Sequence, residues 1–403
     1  MSDPITASEL PSLRLKRNED RRLQAGHLWV FSNEVDTQQS PLTRFNPGDL
    51  VRVQAHNDKA LGLAYVNPKS LICARLLQTW HVPDARWFEA RLRLALRLRE
   101  RLYAGPYYRW VYGESDGLPG LVIDRFGAVC VVQIATAGMQ RFKAEILTAI
   151  DRVIQCKQVL MKNDGALRAM EWLGEEVEWC GPPPPGEASV VEDGLKFEIS
   201  LTDGQKTGWF YDQAANRRAL LRYVRKGARV LDVFSYAGAW GVRAAHGGAS
   251  SVLCVDASAG ALKSAAHNAG LNGLKVETRQ GDAFDVLAEL AESGDRFDVI
   301  VVDPPAFAKR RKDVPTALGA YKRINQLAMR LLADEGILVS CSCSYHVSAD
   351  ELQAAIAKAA RGAGKSVQIL EQGGQSADHQ EHPAIDETRY LKAFYCRVND
   401  NLT

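Results

Sequence analysis

The sequence has no run approaching the ~20 apolar residues that a membrane helix needs. Its strongest stretches, Val230–Phe234 and Val299–Val302, are short and broken by Asp. A helical membrane protein is therefore not expected. Met1-Ser2-Asp3-Pro4 has neither a charged n-region nor an apolar h-region, so no secretion signal is expected and the expected compartment is cytoplasmic. The eight cysteines form no CxxC pair and have no His at zinc spacing. Neither a disulfide framework nor a metal site is expected, and in a reducing cytosol most of these cysteines are small buried hydrophobes. Only Cys341 and Cys343, two residues apart, stand out. No internal repeat or low-complexity tract interrupts the chain.

What is present is length and an uneven distribution of charge. A chain of 403 residues is too long for one ordinary core, so two or three domains are expected. The net charge is +2, yet residues 1–110 hold 17 Lys and Arg against 11 Asp and Glu. A basic front suits a polyphosphate backbone, whose counterions Lys and Arg release. A solvated Arg-rich surface is the plainer alternative.

From Leu13 to about Leu77 short apolar runs alternate with turns such as Pro47-Gly48-Asp49 and Asn67-Pro68, which predicts a small β-barrel. Asp84–Tyr103 reads as an amphipathic helix with six arginines between Arg86 and Arg101, placed as a domain connector. Residues 107–180 read as a mixed α+β domain, closed by Gly181-Pro182-Pro183-Pro184-Pro185-Gly186. Val190–Leu201 then reads as a hairpin turning at Asp193-Gly194. From about Arg217 to Ser340 strands and helices alternate, the pattern of a parallel sheet with helices on both faces.

The first unit of that alternation runs from Val230 through Asp232, Phe234, Tyr236 and Gly238 to Gly241, a buried strand turning through glycines into a helix, where doubly wound sheets bind nucleotides. Two glycines alone are equally a simple turn. Strand two, however, ends in Asp256, 18 residues after Gly238, where a carboxylate can accept both hydroxyls of a ribose. Strand three is followed by Asp282, which can meet an adenine amino group. Acids at Asp232, Asp256 and Asp282 suit a cofactor with a sulfonium and an amino-acid tail, and the third glycine of a dinucleotide fingerprint is missing.

Strand four ends in Asp303-Pro304-Pro305-Ala306-Phe307. Proline fixes φ and removes an amide donor, so this is a rigid lip presenting Asp303 to a planar base, with Phe307 as a stacking face. Lys309 and Arg310 open a basic run that can hold flanking phosphates. The next strand runs into Cys341-Ser342-Cys343-Ser344, facing the tip of strand four in such a fold. Carbon 5 of a pyrimidine is a poor nucleophile. A thiolate added at carbon 6 makes the ring enamine-like and able to take a methyl group, which is covalent catalysis. Spacing alone does not choose between Cys341 and Cys343.

These residues also resemble the PUA-domain-containing 23S rRNA 5-methylcytosine methyltransferases. The likeness runs through Gly26-His27-Leu28-Trp29-Val30-Phe31, Gly113-Glu114-Ser115-Asp116-Gly117-Leu118-Pro119-Gly120, Gly204-Gln205-Lys206-Thr207-Gly208-Trp209-Phe210-Tyr211-Asp212-Gln213 and the Asp-Pro-Pro lip. The resemblance implies a Rossmann-like class I methyltransferase domain over 186–403, a PUA-like RNA-binding barrel over 1–80, and a connector helix with a central α+β domain over 81–185. It implies S-adenosyl-L-methionine as cofactor, with Lys206, Thr207, Phe210 and Asp303 joining Asp256 and Asp282 in its pocket, and Cys343 as the nucleophile. Ribosomal RNA of the 23S kind is the implied partner, a homodimer the candidate assembly. The implied reaction is methylation of a cytosine at carbon 5. The alternatives are methylation of an exocyclic base nitrogen, and a catalytically idle RNA-binding or assembly factor that keeps the fold. The Pro-Cys that many RNA cytosine methyltransferases carry after their Asp-Pro is absent, so product release must use another group.

Overall fold

The computed structural model describes residues 8–202, 204 and 207–400. The chain forms two compact units, one of residues 1–188, 200–209 and 378–388, the other of 189–199, 210–377 and 389–403.

In the first unit, the strands Ser12–Arg14, Asp49–Gln54, Ala60–Val66, Ile72–Leu76 and Trp29–Phe31 lie side by side in that order in a half-barrel sheet. Alternate residues such as Val51 and Val53 turn inward with Leu13, Val30, Ala64 and Val66, and Ile385 of the returning segment joins them. A second five-stranded sheet spans Tyr107–Tyr112 to Glu176–Cys180. Its one parallel pair, Val129–Ile134 with Gln158–Asn163, is bridged by the helix Lys143–Ile154. The helix Ala85–Leu102 turns Phe88, Leu92, Ala95 and Leu96 into the core of this sheet and leaves Arg86, Arg93, Arg97 and Arg101 exposed. Arg99, on the buried face, is matched bidentately by Asp116 at 2.7 and 2.8 Å. Tyr65 and Leu63 of the half-barrel share this second core, so the two sheets of the unit are packed together.

The second unit carries a seven-stranded sheet. Its strands are β1 (Arg229–Val233), β2 (Ser251–Asp256), β3 (Glu277–Gln280), β4 (Phe297–Val302), β5 (Leu332–Ser342), β6 (Lys365–Gly373) and β7 (Lys392–Asp400). Their order is β3-β2-β1-β4-β5-β7-β6. β1 to β5 are parallel, and β7 runs antiparallel to both β5 and β6. Both faces are covered, which explains the nearly continuous apolar strands. Leu231, Val233, Ile300, Val302 and Leu338 face a core with the helices Ala283–Glu292, Val314–Leu331 and Ala349–Ala363. Val230, Cys254, Val299, Val301, Val339 and Cys341 face the opposite core, with Trp240 and Ala244 of the helix Ala239–His246. Strand order reverses between β1 and β4, and the crevice beyond their carboxyl ends is where such sheets take ligands. No described helix is long and apolar enough to cross a membrane.

Candidate active site

The loop after β1 has the geometry of a ligand loop. Phe234 and Tyr236 have φ of 66° and 46°, a conformation that costs non-glycine residues about 1–3 kcal/mol and persists where the surroundings enforce it. Gly238 follows at φ 79°, and a Cβ there would lie 2.8 Å from Cβ of Ala265. A Cβ on Gly241 would meet the Cys254 sulfur at 2.6 Å. This glycine lets the first turn of the helix Ala239–His246 close onto Asp232, whose Oδ2 accepts the Gly241 amide at 2.8 Å. Asp232 Oδ1 is buried with no hydrogen-bond partner among the described residues. Burial pushes this carboxyl up to about 7, against the pull of the Gly241 amide.

Asp256, at the end of β2, accepts the amides of Tyr236 and Ser258 at 2.9 Å each. Each carboxylate oxygen keeps a further lone pair for a hydroxyl. Asp282 caps the helix Ala283–Glu292 through the amide of Phe284 at 2.9 Å and stays exposed. The Phe210 ring meets Tyr236 edge-on at 5.5 Å. An orphaned buried carboxylate oxygen beside a strained glycine loop, with Asp256 next to it, suits a nucleoside bearing a cationic tail.

At the end of β4, Asp303 is held by two side chains that local sequence reasoning did not pick out. Its Oδ1 accepts the Gln213 amide at 2.9 Å and its Oδ2 the Trp240 indole N–H at 3.0 Å. Asn216 donates to the Gln213 carbonyl at 2.6 Å, which orients the amide so that its NH2 meets Asp303. Burial pushes Asp303 up to about 6, opposed first by the Trp240 bond, while the Asp212 charge adds to the rise. Pro304 is buried and Pro305 exposed. Phe307 lies in an aromatic cluster, 4.8 Å from Tyr321 and 6.5 Å from Phe234 between ring centroids. Lys309 and Arg310 are exposed, and Arg310 reaches Asp313 at 3.3 Å.

The two cysteines separate cleanly. Cys341 is still within β5, paired with Ala393 of β7, and is fully buried in the sheet core, where burial pushes its thiol well above the usual range. Cys343 is one residue past the strand, half-buried, with Sγ 3.9 Å from the Pro304 carbonyl oxygen. The structure thus brings Asp232, Phe234, Tyr236, Gly238 and Asp256 together around one loop. Asp303, Pro304 and Cys343 gather at the neighbouring strand ends. Thr207 belongs to the first unit, buried, with its hydroxyl donating to Asp124, which also binds Arg109. Lys206 lies outside the described residues. Gln213 and Trp240 fall inside noticeable motifs, whereas Tyr321 and Lys392 carry no local signal and come into place only through the sheet.

The description S-adenosylmethionine-dependent methyltransferase matches residues 158–397, and that of a PUA-like domain matches 13–79. Ribosomal RNA large subunit methyltransferase I of Salmonella arizonae is 37% identical over 402 residues, covering 98% of this chain and 99% of the relative. The protein of the same name from Klebsiella pneumoniae is also 37% identical, covering 98% and 100%. Among solved structures, an S-adenosylmethionine-dependent methyltransferase from Streptococcus mutans superposes with a TM-score of 0.81 at 20% identity, over 96% of this chain and all of the other. A methyltransferase crystallised with S-adenosylhomocysteine does so with a TM-score of 0.82, again at 20% identity and with the same coverage. With its 3-2-1-4-5-7-6 sheet and near full-length relatives, this chain belongs to the S-adenosylmethionine-dependent methyltransferases, in the family of ribosomal RNA large subunit methyltransferase I.

Proposed function

We propose that this enzyme methylates carbon 5 of a cytosine in 23S ribosomal RNA, with Cys343 as nucleophile. The observation that carries the reading is the half-buried Cys343 sulfur beside the Pro304 carbonyl, next to Asp303 with its oriented donors. S-adenosylmethionine, when bound, supplies an electrophilic methyl group on a sulfonium. In this reading Asp232, Phe234, Tyr236, Gly238, Asp256 and Asp282 hold the cofactor, and the family resemblance adds Lys206, Thr207 and Phe210. Pro304, Pro305 and Phe307 shape the base site, Asp303 binds base and cofactor side alike, and Lys309 and Arg310 meet flanking phosphates.

Cys343 as thiolate bonds to carbon 6 and pushes electron density to carbon 5, which takes the methyl group. Carbon 5 then gives its proton to a base, and the electron pair of that bond expels the Cys343 thiolate, restoring the ring. Asp303 stabilises the adduct at the ring nitrogen edge. Residues 1–80 grip RNA, 81–185 form the central module and 186–403 carry the reaction, in the cytoplasm. A homodimer is the assembly to look for by light scattering.

Nucleoside mass spectrometry of ribosomal RNA from a deletion strain should show the loss of one 5-methylcytosine. Cys343→Ala should abolish product while S-adenosylhomocysteine binding, measured by calorimetry, is kept. Unimpaired methylation by that variant rejects the covalent route and favours transfer to an exocyclic nitrogen, which needs no thiol.

A further inference from the structure

Lys392 is a buried cation for which the reaction above has no use. It opens β7, cross-strand from Ser342 of β5. The residue is only 8% exposed. The ammonium donates to the Ser344 carbonyl at 2.6 Å and to the Tyr390 carbonyl at 2.9 Å. Among the described residues no carboxylate lies within 4 Å of it; the carboxylate whose charge acts on it is Glu351, which is engaged in capping the helix Ala349–Ala363 through Ser348. A lysine this buried normally has an anionic partner, because an uncompensated interior charge is costly. Burial accordingly draws Lys392 down to about 8, and the group that acts most strongly in the other direction is Cys343.

The segment between the two strand ends is held from three sides. The Tyr321 hydroxyl meets Ser342 Oγ at 2.8 Å and Ser344 Oγ at 3.2 Å, Ser344 Oγ accepts the Ala308 amide at 3.3 Å, and Lys392 holds the Ser344 carbonyl. Cys343 sits in the middle of this clamp. Among the described residues, the titratable groups around it are Tyr321 from the helix Val314–Leu331, Cys341 from β5, Lys392 from β7 and Asp303 at the end of β4, with Glu351 beyond Lys392. Among these described groups Lys392 is the cation, and the Asp303 carboxylate works against a thiolate. Tyr321 is itself kept in its neutral form, chiefly by burial.

We propose that Lys392 is a positioning residue for the nucleophile: it fixes the Ser342–Ser344 loop through the Ser344 carbonyl and supplies the positive charge that holds Cys343 as a thiolate. The inference rests on Cys343 being the nucleophile. Lys392 bonds the carbonyl of the residue that follows Cys343, and a nearby opposite charge favours the charged form of an ionisable group by about one to three pH units, enough to populate the thiolate at neutral pH, while the thiolate serves Lys392 as its counter-ion.

The test is the pH dependence of Cys343 alkylation by iodoacetamide in the full-length chain, read on the Cys343 peptide by mass spectrometry, for wild type and for Lys392→Arg, Lys392→Met and Lys392→Gln. The two neutral variants should move the midpoint up by about one pH unit or more, Gln doing so even though it can still donate to the Ser344 carbonyl, and Arg should keep it close to wild type. An unmoved midpoint in a neutral variant that melts cooperatively overturns the proposal. Should neither neutral variant fold, the reciprocal titration decides. In Cys343→Ser the loss of the thiolate should make Lys392 release its proton at lower pH, seen as faster acetic anhydride labelling near neutrality, and an unchanged rate overturns the proposal. Failure of the nucleophile reading looks different, because there Cys343→Ala continues to methylate.

Discussion

Asp303 carries two donors on one carboxylate, and each has a measurable consequence. The Gln213 and Trp240 bonds favour the ionised form and oppose the burial that lifts the group to about 6. Gln213→Leu removes one of them, so the carboxyl should protonate at still higher pH. The acidic limb of the kcat/KM profile should then shift upward by up to about one unit, with the alkaline limb unmoved; a profile unchanged on both sides would show that Asp303 does not act as a carboxylate. Asn216 is part of the same device, since it decides which end of the Gln213 amide faces Asp303. Of this cluster, Asp303 was legible in the sequence because the Asp-Pro-Pro string sits at a strand end. Gln213 and Asn216 were not, because what ties them to Asp303 is a hydrogen-bond chain across about 90 residues of sequence. The choice between Cys341 and Cys343 likewise depends on where β5 ends, and strand ends are poorly marked by composition.

The hairpin formed by Ala188–Glu192 and Leu195–Ile199 is tied to its own unit by charge. Glu192, 8% exposed, accepts Arg217 at 2.8 Å and Arg243 at 2.8 Å, and both guanidinium groups are buried. Removing the shared anion takes the bidentate carboxylate from Arg217 and leaves Arg243 with Asp193 alone at 2.9 Å, so Glu192→Ala should cost about 3–5 kcal/mol in chemical denaturation. A loss under about 1 kcal/mol would mean the arginines relax to water. At this level the alternation of strands and helices from Arg229 to Ser340 was readable, since parallel strands covered on both faces are compact apolar runs between glycine and Asp turns. The β6 and β7 pair was not. β6 is an edge strand with Ile369 and Leu370 exposed and polar residues on both sides, which leaves little period. The stretch between β6 and β7 also contributes 378–388 to the first unit, so no simple turn announces the antiparallel return.

At the scale of the whole molecule, the excess of Lys and Arg over residues 1–110 becomes a surface feature once Arg86, Arg93, Arg97 and Arg101 are seen exposed along one helix. Arg99, from the same run, is an internal ion-pair residue and contributes nothing outward. If the exposed set meets RNA phosphates, converting Arg93, Arg97 and Arg101 to Gln should weaken binding and reduce the slope of log K against log salt by roughly 0.7–0.9 for each phosphate no longer neutralised. An unchanged slope would place the RNA elsewhere. The basic character of the front was visible from composition, but which arginines face outward follows from the helix's buried stripe.

The pairing of β5 with β7 sets a length as well as a fold. Side chains alternate along a strand, so a slip of two residues would leave each on its original face, keeping the apolar pattern nearly intact. Yet such a slip would draw Cys343 into the position Cys341 now holds, paired with Ala393, or push Cys341 out beyond the last rung. In the proposed reaction the ladder thus works as a gauge: counting its rungs decides which of two chemically identical sulfurs remains an inert filler and which serves as the reagent. A two-residue register shift of β5 against β7 should therefore cost activity before it costs the apolar pattern of the sheet.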